Sequence, residues 1–385
     1  MDFSYSDEQN AIRELARAIL DKELTRDRLK AAAATADGID VALWKTLAEA
    51  NLLGVAVPEA QGGMGLGLLE VCTLLEEIGR AVAPVPVLAS LVLGGLPIAR
   101  FGSDAQRTRW LRALASSDAV LSAALVDAGS DDVAQPATRA RRDGDSWRLD
   151  GAKRLVPAAS RAARVLVPAA TAAKPSSSEL GVGVFLVDPN AVGVTLTPQR
   201  TSTGEPLFEM TFAGVRVSND DLLGGDAMNG AVAARWIHDC ALAALCVTQV
   251  GVSERALEIT AGHLKERVQF GVPIGSFQSV QHRAADCWID LQAMRWTAWR
   301  AACRLAEGED ATRETAVAKF WAADGGSRIA NTAQHLHGGL GVDVDYSIHR
   351  YFLWSKAIEL SLGAATPQLV RLGRDLASTG PRELT

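Results

Sequence analysis

With 385 residues and a hydrophobic content of 48%, the chain is long enough for two or three domains with sizeable cores. Its net charge of −6 gives no electrostatic ground for nucleic-acid binding. Cys72, Cys240, Cys246, Cys287 and Cys303 are scattered, without a CxxC pair or a Cys/His cluster to hold a metal, and read as buried thiols of a reducing cytoplasm.

The opening Met1-Asp2-Phe3-Ser4 lacks the basic and apolar regions of a signal peptide, and no run of about 18 apolar residues reads as a membrane span. Ser6 and Gln9 form a capping box that starts a helix with Ile12, Leu15, Ala16, Ile19 and Leu20 as its apolar stripe. A second helix is expected through Leu43, Trp44, Leu47 and Ala48. The loop Val57-Pro58-Glu59-Ala60-Gln61-Gly62-Gly63-Met64-Gly65-Leu66-Gly67 does not complete G-x-G-x-x-G, because the last position falls on Leu68, and is read as structural. A helix over Leu69–Val82 follows, and helical character ends near residue 119.

From Val120 the period changes. Segments such as Trp147-Arg148-Leu149, Arg164 to Pro168, Val182 to Val187 and Glu209 to Phe212 are separated by Gly, Pro, Asp and Ser, which predicts short strands. Lys174-Pro175-Ser176-Ser177-Ser178 is expected to be a hairpin tip or surface loop. Helical pattern returns near Ala231 and runs to residue 265, and again from Ala284 to Leu305 with Trp288, Leu291, Met294 (or Arg295) and Ala298 on one side. Helical ends around a β-rich middle make the fold class α+β, with boundaries at 1–119, 120–226 and 227–385.

Between the two long helices, Gly271, Pro273 and Gly275 stop one and start the other, since proline has no N–H to donate and glycine permits a tight reversal. The turn offers Arg267 with the amides of Gln269 and Gln278, a set suited to a phosphate or nucleotide. By spacing alone it reads equally well as a helix–helix connector with a solvated Arg.

The wording R-x-Q-F-G-x-P-I-x-x-F-Q-x-x-Q-H-x-x-A-D over residues 267–286 resembles the signature of the acyl-CoA dehydrogenase family. The resemblance implies an N-terminal helical bundle, a middle β-barrel or sandwich domain, and a C-terminal four-helix bundle that drives tetramer formation. It also implies that this turn reaches a neighbouring subunit's FAD through Arg267, Gln269, Phe270, Ile274 and Gln278. His337-Gly338-Gly339-Leu340-Gly341 is similar to the family's H-G-G-x-G motif, which implies cofactor contacts from Gly338, Gly339 and His335; His335 stands where the family usually has Gln. His337 itself is equally readable as a satisfied interface histidine.

Departures from the family's pattern carry as much information. Of a T-E-P-x-A-G-S-D-like segment over the flavin, Leu125-Val126-Asp127-Ala128-Gly129-Ser130-Asp131 keeps only the second half. After Gly151-Ala152-Lys153 the family's W-I-T-N-like strand is replaced by Arg154-Leu155-Val156-Pro157-Ala158, without the aromatic ring. The family's catalytic Glu falls on Leu362 when aligned from Lys356, on Ala364 when aligned from Thr366-x-Gln368-Leu369, and in the alternative location on Ala241. None of these takes a proton, so no catalytic residue is assigned. Asp239 and Glu359 are the nearest acids, read as poor substitutes.

Keeping the half-site offered to a neighbour while losing its own is similar to the non-catalytic subunit of α2β2 acyl-CoA dehydrogenases of actinobacterial steroid side-chain degradation. The resemblance implies a catalytic partner subunit, FAD shared across the interface, two FAD per tetramer, and a bulky steroid-like CoA thioester. Rival readings are a self-sufficient homotetramer using Glu359 or Asp239, a flavin-binding relative with other chemistry such as a hydroxylase or nitroalkane-type oxidase, and a non-enzymatic scaffold.

Overall fold

The computed structural model describes residues 4–35, 37–130, 132–173, 180–205, 207–228 and 230–380. The loop expected at Lys174 to Ser178, and Asp131 of the Ala-Gly-Ser-Asp segment, lie outside them. Helices α1 (Asp7–Glu23), α2 (Arg26–Ala33), α3 (Val41–Glu49) and α4 (Leu68–Ala81) come first. Residues 88–115 then form a series of short α- and π-helical turns that includes α5 (Leu96–Phe101), α6 (Asp104–Gln106) and α7 (Arg112–Ala115).

Strands follow: β1 (Val120–Ala123), β2 (Val126–Asp127), β3 (Arg139–Asp143), β4 (Ser146–Pro157), β5 (Ala162–Ala173), β6 (Leu180–Val187), β7 (Val194–Gln199) and β8 (Leu207–Ser218). The rest is helical: α8 (Gly230–Glu266), α9 (Gln278–Ala306), α10 (Thr312–His337), α11 (Ile348–Leu360) and α12 (Ala365–Thr379), with a hairpin of β9 (Val268–Gln269) and β10 (Val272–Pro273) between α8 and α9. The α+β class and the helical C-terminal bundle stand as expected.

Packing divides the chain into two compact units, one of residues 1–24, 72–83 and 242–385, the other of residues 25–71 and 84–241. In the second, the eight strands make one mixed sheet in the order β1-β5-β3-β4-β8-β7, with β2 on β4 and β6 on β5. Alternate residues of β8 (Phe208, Met210, Phe212) join Trp147, Leu149, Val165, Val167 and Phe185 in its core, where Trp147 meets Phe185 edge-on at 5.5 Å. β4, β5 and β8 are each 12 residues long, against the expectation of short strands. The reason lies in β4, whose register with β8 shifts at Leu149/Gly151 and Lys153/Val156, with Gly151 (φ 143°) and Leu155 (φ 53°) in the left-handed region. Bulges interrupt the alternation that sequence reading follows, so one strand looks like several.

In the first unit α8 is the core helix. Its most apolar 18-residue window is long and apolar enough to pass for a membrane span, contrary to the sequence expectation, yet 72% of that window is buried inside the protein. α4 lies against α8 without room for side chains: a Cβ at Gly79 would collide with the Thr248 carbonyl, and one at Gly251 with that of Glu76. Glu76 itself is buried, which pushes its carboxyl above the usual range, while Arg295 (3.3 Å) opposes the shift and Trp299 Nε1 donates to it at 3.2 Å.

The capping box at Ser6/Gln9 is present, and Ile12, Ala16 and Leu20 are buried. Leu15 is 41% exposed and Trp288 of α9 is 55% exposed, so both leave the apolar stripes assigned to them. The α1 stripe narrows to the i, i+4, i+8 row that touches the core. The helix expected second is the third, since α2 is capped by Thr25 but buries only Ala32 and has too weak an apolar stripe to announce itself.

Candidate functional site

Two turns at the ends of α8 and α10 carry the residues singled out above. α8 closes with the Arg267 N–H donating to the His263 carbonyl at 2.9 Å, and the chain then reverses through β9 and β10. Phe270 (φ 53°) and Gly271 (φ 83°) make the reversal; Gly271 does so freely, whereas Phe270 holds a conformation unfavourable for a bulky residue. The Ile274 N–H donates to the Arg267 carbonyl (2.8 Å), Ser276 Oγ to that of Pro273 (2.7 Å), and Phe277 meets Phe270 edge-on at 6.1 Å.

These bonds stiffen a turn whose outer face is uncovered. Phe270 is 93% exposed, and Arg267, Gln269 and Gln278 are exposed beside a half-buried Ile274. Gln269 spends its amide on its neighbour's carbonyl at 2.7 Å, while the Arg267 and Gln278 side chains have no hydrogen-bond partner among the described residues.

At the second turn, α10 ends on His337 and the Gly338 N–H donates to the His335 carbonyl. Gly338 has φ 59°, and a Cβ on it or on Gly339 would meet nothing within 4 Å, so the backbone there is bare. Gly341, in contrast, sits against the Gln334 carbonyl, and Gln334 Nε2 donates to the Gly341 carbonyl at 3.1 Å to close the loop. His335 is exposed and His337 is 4% exposed.

Arg267, Gln269, Phe270, Ile274 and Gln278 thus gather on one turn, and His335, Gly338 and Gly339 on the other. The roots of the two meet where His263 stacks on His337, with ring centroids 4.5 Å apart and 24° between planes. A forked cation, a free amide, an exposed aromatic ring and bare glycine backbone suit a phosphate-bearing aromatic ligand. Sequence reasoning missed His263, for which no motif speaks.

The positions where a base was sought carry apolar side chains, and the polar groups around two of them are committed to the backbone and to each other. Leu362 (φ 52°) and Ala364 lie in the link from α11 to α12, and the Gln368 amide donates to the Leu362 carbonyl at 2.9 Å. Beneath them the fully buried Lys319 Nζ donates to the carbonyls of Ile358 (2.9 Å), Glu359 (3.0 Å) and Gly363 (3.1 Å). Burial pulls its ammonium down to about 8, with the nearby Glu359 charge opposing. Nothing in the sequence pointed to Lys319. Glu359 pairs with Lys356 at 2.8 Å, Ala241 is wholly buried, and Asp239 is 8% exposed with His238 Nδ1 at 3.4 Å.

In the β-sheet unit, the Asp127 carboxylate is engaged on all sides. Lys153 Nζ is bonded to one oxygen, and the Thr138 N–H (3.1 Å) and Oγ1 (2.9 Å) donate to the other. Burial lowers the Lys153 pKa while Asp127 opposes that shift. The Leu155 N–H is likewise taken, by Gln199 Oε1 at 2.9 Å. Asp127, Gly129, Arg154, Leu155 and Gln199 line an open cleft of about 600 Å³ that presents no aromatic ring.

The acyl-CoA dehydrogenase N-terminal, middle and C-terminal domain models match residues 6–118, 126–215 and 230–376. Acyl-CoA dehydrogenase FadE27 of Mycobacterium tuberculosis is 36% identical, over 98% of this chain and 100% of its own length. The solved steroid acyl-CoA dehydrogenase complex Tcur3481–Tcur3483, as a G363A variant, contains a chain 44% identical at a TM-score of 0.88, covering 97% of this chain and 98% of that one. The ChsE4–ChsE5 complex from Mycobacterium tuberculosis contains one 36% identical at a TM-score of 0.91, over 99% and 100% of the two chains. With that likeness running through all three domain models, the chain belongs to the acyl-CoA dehydrogenase family of oxidoreductases.

Proposed function

We propose that this chain is the non-catalytic subunit of a heteromeric, FAD-dependent acyl-CoA dehydrogenase of the cytoplasm, which oxidises a bulky, steroid-like acyl-CoA thioester between Cα and Cβ. The observation that carries the reading is the contrast between apolar side chains at the base positions, Leu362, Ala364 and Ala241, and an exposed turn whose Arg267 has no hydrogen-bond partner among the described residues. The two complexes above, both of paired chains, favour a catalytic partner in an α2β2 assembly.

The residues present fit FAD on one side and not on the other. On the turns, Arg267 would hold diphosphate oxygens with two N–H groups, Gln278 would offer its amide and Gln269 its side-chain carbonyl and second amide N–H, and Phe270, Ile274, His335 and the Gly338–Gly339 backbone would complete the wall. Bare glycine and an exposed Phe270 leave room for it. On the sheet, Leu155 replaces the ring, its N–H is already bonded, and Asp127 has no free oxygen, so a flavin ring there would find neither stacking surface nor donors. Bound FAD would supply the acceptor for the hydride leaving the thioester's β-carbon. The α-proton needs a carboxylate within hydrogen-bond reach, which this chain does not offer and the partner would.

Co-expression with a catalytic subunit, followed by mass and flavin content, tests the proposal. The complex should carry two FAD per tetramer and the chain alone almost none. A charge-assisted hydrogen bond is worth about 1.5–3 kcal/mol, so Arg267→Ala should weaken FAD retention in the complex about ten- to a hundredfold with the assembly mass unchanged, and Arg267→Lys should restore part. One tightly held flavin per isolated chain, together with thioester oxidation, would overturn the reading.

Glu359 is the acid nearest the empty base site, yet Lys356 holds it at 2.8 Å. Glu359→Gln, like Asp239→Asn, should therefore leave turnover of the assembled complex within a few-fold of wild type. Loss of a true general base costs about 10²–10⁴-fold, a drop that steady-state kinetics cannot miss.

A further inference from the structure

We infer that the stacked His263–His337 pair positions the Arg267 turn beside the Gly338–Gly339 turn only while both imidazoles are neutral, so that acid loosens the two turns together. The stack is the link between them: His263 is the acceptor of the last helical bond before the turn, from the Arg267 N–H at 2.9 Å, and His337 is the last residue before Gly338. The rings lie 4.5 Å apart and 24° from parallel, and Tyr346 covers His337 from another side at 5.3 Å.

His337 is committed to one tautomer. Its Nδ1 lies 2.7 Å from the Ala333 carbonyl and so carries the proton, which makes Nε2 the acceptor. Nε2 is buried and has no hydrogen-bond partner among the described residues. Protonating it would place an N–H donor and a charge where nothing accepts either, against the face of a second imidazole. Few other charges bear on the pair. Arg267 at the end of α8 opposes protonation of His263 and Glu266 favours it, and Tyr346 is a neutral phenol across the range concerned.

Burial pulls both histidines below their ordinary 6.5, with His337 and Arg267 adding to the effect on His263 and the Ala333 carbonyl opposing it on His337. The sign follows. Between the lowered values and 6.5 the opened arrangement binds more protons than the stacked one, so the stacked arrangement is favoured at neutral pH and loses ground as pH falls below 6.5.

The test uses two readouts on the full chain. Hydrogen exchange of the peptides spanning 263–277 and 334–342, corrected for the intrinsic pH dependence, reports the turns directly at pH 7.5 and 5.5. FAD retention in the assembled complex, followed by fluorescence on dilution, rests on the function proposed above.

Wild type should lose protection in both peptides at pH 5.5 and release FAD about tenfold more readily than at pH 7.5. His263→Phe keeps a ring in the stack but removes one of the two titrating groups, so both profiles should become clearly shallower than in wild type. His263→Gln removes the ring and should leave the turns loose at both pH values. If His263→Phe retains the wild-type pH dependence in the exchange readout, the inference is overturned. If exchange responds as expected while FAD retention ignores both pH and Arg267→Ala, the pair still positions the turns and it is the cofactor reading that falls.

Discussion

Lys319→Met should lower the stability of the full chain by about 3–5 kcal/mol, one of the two largest single-residue effects expected here. The ammonium is wholly buried and saturated by three carbonyls, of Ile358, Glu359 and Gly363. Those carbonyls end α11 and begin the link to α12, where a helix leaves acceptors without partners in its own ladder. Methionine matches the length of the side chain but donates nothing, so the acceptors are stranded in a site closed to water. Part of that loss is offset because the ammonium's own desolvation disappears. Lys319→Glu has no such offset: it sets a carboxylate against three carbonyl oxygens, and no soluble folded chain is expected. Thermal midpoint and soluble yield are the measurements. A Lys319→Met chain within about 1 kcal/mol of wild type would mean that the link re-forms its hydrogen bonds without this residue.

Asp127→Ala should cost a similar amount for a different reason. Asp127 and Lys153 have side chains only 4% and 1% exposed, and their pairing is what makes the buried ammonium tolerable. Removing the carboxylate leaves that ammonium alone and also strips the acceptor from the Thr138 N–H and hydroxyl. About 3–5 kcal/mol is the usual penalty for orphaning one member of a buried pair. The double variant Asp127→Ala/Lys153→Met separates the causes, since it removes the orphaned charge and keeps the loss of attraction. It should recover most of the stability in urea denaturation; if it is as unstable as Asp127→Ala alone, the bonds to Thr138 dominate. Asp127 ties β2 to β4 through its side chain as well as its backbone.

Much of this was legible in the residues, and for one physical reason. Features settled within a few positions of the chain can be read from the chain. Ser6 and Gln9 cap each other across one turn, Gly271 supplies a left-handed residue where a two-strand reversal needs one, and Gly338 does so after α10. The helical ends, the β-rich middle, the two exposed turns and the absence of an acid at Leu362, Ala364 and Ala241 all belong to this class.

Other features depend on which distant groups come to share a site without water, and local pattern is silent about them. Lys319 looks like any helical lysine until three carbonyls of another segment close around it. Asp127 reads as a departure from a motif until Lys153 and Thr138 enclose it, and His263 has no motif at all until α10 brings His337 onto its face. Leu15 and Trp288 sit at core spacing yet stay exposed, because spacing selects a face of the helix and the packing selects how wide that face is. Burial of a charge, the tautomer of a histidine and the width of a buried stripe are set by neighbours far along the chain, and they appear when the fold brings those neighbours together.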